Sequence, residues 1–162
     1  MSGQPLPYEL SCCGTAIPED LPPLPNKKLV WVSAGVLIDT EGSVLIAQRP
    51  EGKAMAGLWE FPGGKIEAGE TPEYTLCREL REELDIRTGE SCLLPIHFLS
   101  HSYQDFHLCM PVFAIRQWIG TPQAKEHKAL QWVKPSELYK IPMPEADKPL
   151  ISVLIELLEA SR

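Results

Sequence analysis

Leu76, Leu80 and Leu84 recur every four residues behind Thr71-Pro72, and this pattern constrains the chain more than any other. A four-residue repeat puts the leucines on one face of an α-helix. Thr71 is a good N-cap, and Pro72 suits the first helical position, where its missing N–H costs nothing. The spacing predicts a helix over Pro72–Leu84 whose leucine stripe anchors it to the core. Glu79, Glu82 and Glu83 fall within an arc of about 100° on another face, so one helix carries both a core anchor and three clustered carboxylates.

The segments around this helix read as strands and turns. Leu29–Asp39 and Ser43–Gln48 are β-rich, and Glu41-Gly42 between them predicts a hairpin. Leu58–Phe61 is a short apolar piece, and Pro62-Gly63-Gly64 predicts a turn. Strands are expected near Leu93–His101, Phe106–Trp118 and Ala129–Val133, and a C-terminal helix over Pro149–Ala160. Strands and helices mix without strict βαβ alternation, which predicts an α+β fold layered around a mixed sheet. Residues 1–28 hold six of the 16 prolines and no periodicity. They read as an extended N-terminal arm, leaving residues 29–162 as one domain of a size that buries a core unaided.

Composition excludes several classes. With 22 acidic against 15 basic side chains the net charge is −7, opposite to the basic footprint of a protein that wraps a nucleic-acid polymer. The longest nearly apolar run, Leu29–Ile38, is too short to cross a membrane. No secretory pattern opens the chain. The five cysteines, Cys12, Cys13, Cys77, Cys92 and Cys109, lack paired metal-ligand spacing. They read as reduced thiols of a cytoplasmic protein.

The acidic helix face has two readings. Like charges at this spacing repel, so the face is either solvated, with Arg78 and Arg81 as ion-pair partners, or built for hard divalent cations that take several oxygen ligands. Gly63-Gly64 just upstream favours the second reading, because backbone without side chains can approach a metal or phosphate closely. The segment from Gly64 through Glu70, Arg78-Glu79-Leu80 and Glu82-Glu83 to Asp85-Ile86 resembles the Nudix box. One position departs from it: Asp85 stands where the family has Gly. Asp enters the left-handed conformation more readily than most residues, so a small stability cost is expected there and little loss of chemistry.

The resemblance spans roughly 29–158 and implies a Nudix fold, a mixed sheet sandwiched between helices. It implies hydrolysis of a nucleoside diphosphate linked to another group, with Mg2+ or Mn2+ as cofactor. Carried over by position, Glu79, Glu82 and Glu83 would be metal ligands and catalytic, Gly63 would offer a carbonyl to the metal, and Arg78 would pair with Glu70 or its neighbours. Trp59-Glu60-Phe61-Pro62 and Pro144–Pro149 are similar to the MutT branch, the 8-oxo-dGTP diphosphatases. The CTP and 5-methyl-dCTP pyrophosphohydrolases share these flanks. On that likeness Glu126 is a further acidic residue for catalysis or metal, against a loop Glu beside Lys125 and Lys128. Arg49 is a nucleotide contact, against a surface Arg. Lys65 is a substrate or loop contact, and Phe61 a wall of the base pocket or ordinary core.

Asp147 bears on the base. It aligns with an Asn of the best-known MutT-like enzyme, and its alternative reading is a helix N-cap. An ionised carboxylate only accepts, which matches the adjacent N1–H and N2–H donors of guanine. Cytosine needs a shared proton at that position. The expected substrate is therefore 8-oxo-dGTP, with a cytidine triphosphate as the alternative and a non-catalytic nucleotide-binding domain as a distant third. No polymer or membrane partner is expected, and the chain is expected to be a monomer or homodimer.

Overall fold

The computed structural model describes residues 26–160. Most of the expected arm, with Cys12 and Cys13, lies outside them, and Lys28 already pairs with Phe106. Among the described residues seven strands form two sheets. The first is mixed, in the order β4 (Gly63–Lys65), β1 (Lys28–Leu37), β6 (Phe106–Ile115), β5 (Leu93–Ser102). Within it, β1 runs parallel to β6 and antiparallel to β4. The second is antiparallel, in the order β3 (Trp59–Glu60), β2 (Val44–Gln48), β7 (Ala129–Val133).

Strand alternation builds a core on each face. Val36, Ile38, Val44 and Ile46 pack with Leu150, Ile151 and Leu154 of helix α2 (Lys148–Leu158). Leu37 and Leu45, from the same strands, pack on the opposite side with Leu76, Leu80 and Leu84 of helix α1 (Pro72–Leu84). The strands thus lie between the two helices, and the leucine stripe of α1 is fully buried. Thr71 caps α1 by accepting a hydrogen bond from the Tyr74 N–H at 3.1 Å. Asp85 ends it in the left-handed conformation, φ 58° and ψ 31°.

Three expectations are corrected. The Glu41-Gly42 turn forms, with Asp39 Oδ1 accepting from the Glu41 and Ser43 N–H groups at 2.9 and 2.7 Å. The hairpin stops after one bridge, Ile38 to Val44. Beyond it both edges of each strand serve other partners, β4 and β6 for β1, β3 and β7 for β2. Pro62-Gly63-Gly64 is not a turn. Gly63 and Gly64 belong to β4, paired with Ala34 and Ser33. Finally, β6 ends at Ile115, and Ile119 instead bridges Arg87 beyond the end of α1. Short 3-10 helices form at Glu90–Cys92, ahead of β5, and at Pro135–Lys140, after β7.

Candidate active site

Helix α1, strand β4, the ends of β2 and β3, the loop before β7 and the start of α2 converge on one cleft of about 450 Å3. Glu79 and Glu83 reach it from α1, Gly63 and Lys65 from β4, and Arg49 from just beyond β2. Phe61, Glu126 and Asp147 complete the set. Eight of the ten residues singled out from sequence therefore line one cavity. Arg78 and Glu82 do not. They line a groove of about 610 Å3 on the outer side of α1 that contains none of the other eight.

The glycine pair serves close approach. A Cβ on Gly63 would sit 2.0 Å from the Ser33 carbonyl oxygen of the neighbouring strand. A Cβ on Gly64 would sit 2.3 Å from Cδ of Glu79. The Glu79 carboxylate thus occupies the space a side chain would take.

Arg78 organises the carboxylates. Its Nε and Nη2 donate to the two oxygens of Glu70 at 2.8 and 2.9 Å, a bidentate pair. Its Nη1 donates to Glu79 at 2.7 Å and to Glu82 at 3.2 Å. Glu70 also accepts from the Thr75 hydroxyl at 2.7 Å. The Arg78 and Thr75 hydrogen bonds hold the Glu70 carboxyl down at about 2, and Glu70 in turn holds the guanidinium more firmly charged. Glu82 keeps about half its side-chain surface exposed, so it belongs to the outer rim.

Glu83 behaves oppositely. Burial pushes its carboxyl up to about 7, and the charges of Glu79 and Glu60 push the same way. His127 and the Gly63 N–H, 3.4 Å from Oε2, pull it down. Asp147 is also pushed up to about 7, by burial first and then by Glu60, against the Phe61 N–H and Arg49. It stands at the N-cap position of α2, yet its side chain makes no capping bond. The capping alternative is thereby removed, and the buried carboxyl lines the cleft beside Phe61. Phe61 itself is both core and cleft wall. Lys65 is exposed at the cleft rim, and Glu126 lies 3.8 Å from Lys53.

Two residues went unread in the sequence. Glu60 holds Arg49 through Nη1 at 2.5 Å, and its other oxygen lies 3.4 Å from Nε2 of His127. The His127 side chain is almost fully buried, and its Nδ1 has no hydrogen-bond partner among the described residues. The available signals were a Glu inside the apolar run Trp59–Phe61 and a His beside Glu126.

The donor set suits a divalent cation. Among the described residues no three His, Cys, Asp or Glu side chains already converge as a metal shell. Arg78 and the Gly63 N–H hold the carboxylates instead. The donors present are hard oxygens, and burial and two neighbouring acids push one of them, the Glu83 carboxyl, up to about 7. Glu79, Glu83, Glu126 and the Gly63 carbonyl are the groups in the cleft that fit such an ion.

A family model described as the NUDIX domain matches residues 33–153. The chain is 39% identical over 130 residues to a CTP pyrophosphohydrolase of Escherichia coli, covering 80% of this chain and 94% of that one. It is 43% identical over 93 residues to an 8-oxo-dGTP diphosphatase of Proteus vulgaris, covering 57% and 81%. The solution structure of the E. coli ORF135 protein superposes with a TM-score of 0.73 at 35% identity, covering 86% of this chain and 97% of that one.

Proposed function

The chain belongs to the Nudix family and is a Nudix hydrolase, and on that premise we propose that it hydrolyses nucleoside triphosphates to the monophosphate and pyrophosphate, with 8-oxo-dGTP as its substrate. Nudix hydrolases generally use divalent metal ions. Here Mg2+ or Mn2+ would be held by Glu79, Glu83, Glu126 and the Gly63 carbonyl, with Glu82 joining from the rim. Bound there, the ion supplies charge neutralisation at phosphate oxygens and acidifies a water.

The chain's own residues position the parts. Arg78 clamps Glu70 and Glu79, so the Glu79 carboxylate stays seated on Gly64. Glu83 is the buried carboxyl of the set, pushed up to about 7 by burial and its acidic neighbours, and a bound cation would bring it down and hold it ionised. Arg49 and Lys65 bring positive charge toward the phosphates. Phe61 offers the base an aromatic wall, and Asp147 reads its edge. A small-molecule pool enzyme of this kind fits the cytoplasm, as a monomer or homodimer. Its role is to clear oxidised nucleotides before DNA synthesis.

The observation that carries the guanine reading is Asp147, a buried acidic group beside Phe61 and free of any capping duty. Ionised, it accepts from both N1–H and N2–H of an oxidised guanine. The same group supports a second reading. Below about 7 it keeps a proton, and a carboxylic acid with one donor and one acceptor matches cytosine. The CTP-hydrolysing relative points the same way.

Steady-state kinetics with 8-oxo-dGTP, CTP and 5-methyl-dCTP between pH 6 and 9 separates the two. A higher kcat/KM for 8-oxo-dGTP above neutrality is expected, and a cytidine nucleotide leading across the range would overturn the guanine reading. Turnover unaffected by Glu79→Gln would overturn the mechanism.

A further inference from the structure

The loop that carries Glu126 also spans two parts of the cleft. At one end the Lys125 N–H donates to the carbonyl of Glu83 on α1, at 3.0 Å. At the other end the Lys128 N–H donates to the carbonyl of Gln48, beside Arg49, at 2.9 Å. His127 is the inward-facing side chain of this strut, with 5% of its surface exposed. Its Nε2 lies 3.4 Å from Oε1 of Glu60, whose Oε2 accepts from Arg49 at 2.5 Å. An attraction between His127 and the Glu83 carboxyl acts alongside these contacts. A buried imidazole with Nε2 3.4 Å from a carboxylate and, among the described residues, no partner on Nδ1 is costly unless its place serves something else.

We propose that Glu60 and His127 are positioning residues: the chain Arg49–Glu60–His127 fixes the nucleotide-facing guanidinium and the metal-facing Glu83 relative to each other. The inference rests on reading the cleft as a metal-dependent hydrolase site. Arg49 is aimed by Glu60, Glu60 is held by His127, and His127 is held in the strut tied to the backbone at Glu83 and Gln48. Neither residue need touch the reacting atoms. Their effect is to keep the two halves of the site in register, as outer-shell partners of ligating carboxylates do.

The test compares wild type, His127→Ala, His127→Gln, Glu60→Gln and the double variant Glu60→Gln/His127→Ala. Gln at 127 keeps an N–H donor within reach of Glu60, and Ala removes it. Mn2+ binding to the substrate-free protein is measured by calorimetry, alongside kcat, KM and thermal unfolding. His127→Ala is expected to fold, to bind Mn2+ about tenfold more weakly and to lose about ten- to a hundredfold in kcat. His127→Gln is expected to recover most of both. Glu60→Gln is expected to raise KM, because Arg49 loses its charged partner, and the double variant is expected to fall short of the sum of the singles.

Mn2+ affinity and kcat within twofold of wild type in His127→Ala would overturn the proposal. So would equal losses in the Ala and Gln variants, or strict additivity. If His127→Ala does not fold, Glu60→Gln decides, and unchanged KM and kcat there would overturn the proposal. A wild-type chain that releases no pyrophosphate from any triphosphate defeats the hydrolase reading, and the Mn2+ titrations then judge the positioning role alone.

Discussion

Gly64 lacks a side chain in a place where Glu79 uses the room. The Cβ of an alanine would fall 2.3 Å from the Glu79 carboxyl carbon, so Gly64→Ala must push that carboxylate off its seat. A misplacement of this size costs about a hundredfold in rate when the group is catalytic. Gly64→Ala is therefore expected to lower kcat by about that factor while the protein stays folded, read by kinetics beside circular dichroism. Asp147 makes the opposite trade. Its carboxyl is buried among Glu60 and apolar surface, and burial holds its proton on up to about 7. Asp147→Asn removes a buried charge without changing shape. It is expected to stabilise the metal-free protein above pH 7 by on the order of 2 kcal/mol, measured by urea unfolding. The same change is expected to narrow the gap between 8-oxo-dGTP and CTP, because an amide presents one donor and one acceptor at every pH.

Helix α1 is the element on which the site depends. It begins where Thr71 accepts from the Tyr74 N–H and ends where Asp85 turns left-handed. Thr71→Ala is expected to cost about 1 kcal/mol, visible as a lower melting temperature. Asp85→Gly relieves a left-handed residue that carries a side chain. It is expected to stabilise by a few tenths of a kcal/mol with turnover unchanged. Both ends were legible beforehand because a helix is specified locally, by periodicity and caps within a few residues. The strands were legible as strands but not in their pairing. The Glu41-Gly42 turn forms as expected, yet β1 takes its long partner from β6, where Lys28 meets Phe106. The demand of two sheets for partners on both edges outweighs a local hairpin signal.

Over the whole molecule, the shifted carboxyls set opposing pH dependences. Glu70 is held down at about 2, so the unfolded chain binds more protons and stability is lost as pH falls from about 4.5 toward 2. Glu83 and Asp147 are pushed up to about 7, so the folded chain binds more protons between about 4 and 7. Their contribution is full below the ordinary carboxylate range and is lost as pH rises through about 7. The metal-free protein is expected to be most stable near pH 4 to 5 and to weaken toward pH 8. Mg2+ or Mn2+ added at pH 8 is expected to raise the melting temperature, since an ion that binds only the folded state stabilises it. Scanning calorimetry from pH 3 to 9, with and without Mn2+, checks both limbs, and a metal-free protein most stable at pH 8 would contradict the assignment.

The sequence by itself determined the amphipathic helix, its caps and its acidic face, because these depend on neighbours within a turn or two of chain. It also pointed to eight residues that the fold brings into one cleft. Only the tertiary structure decided that Gly63-Gly64 is a strand pressed against β1, that Glu82 faces outward with Arg78, and that Asp147 lines the cleft without capping α2. Glu60 and His127 stayed hidden for the same reason. They are 67 positions apart, and their chemistry exists only where β3 and the loop before β7 meet. Local propensity is written along the chain, whereas desolvation, close approach and long-range pairing arise only when distant segments share a volume.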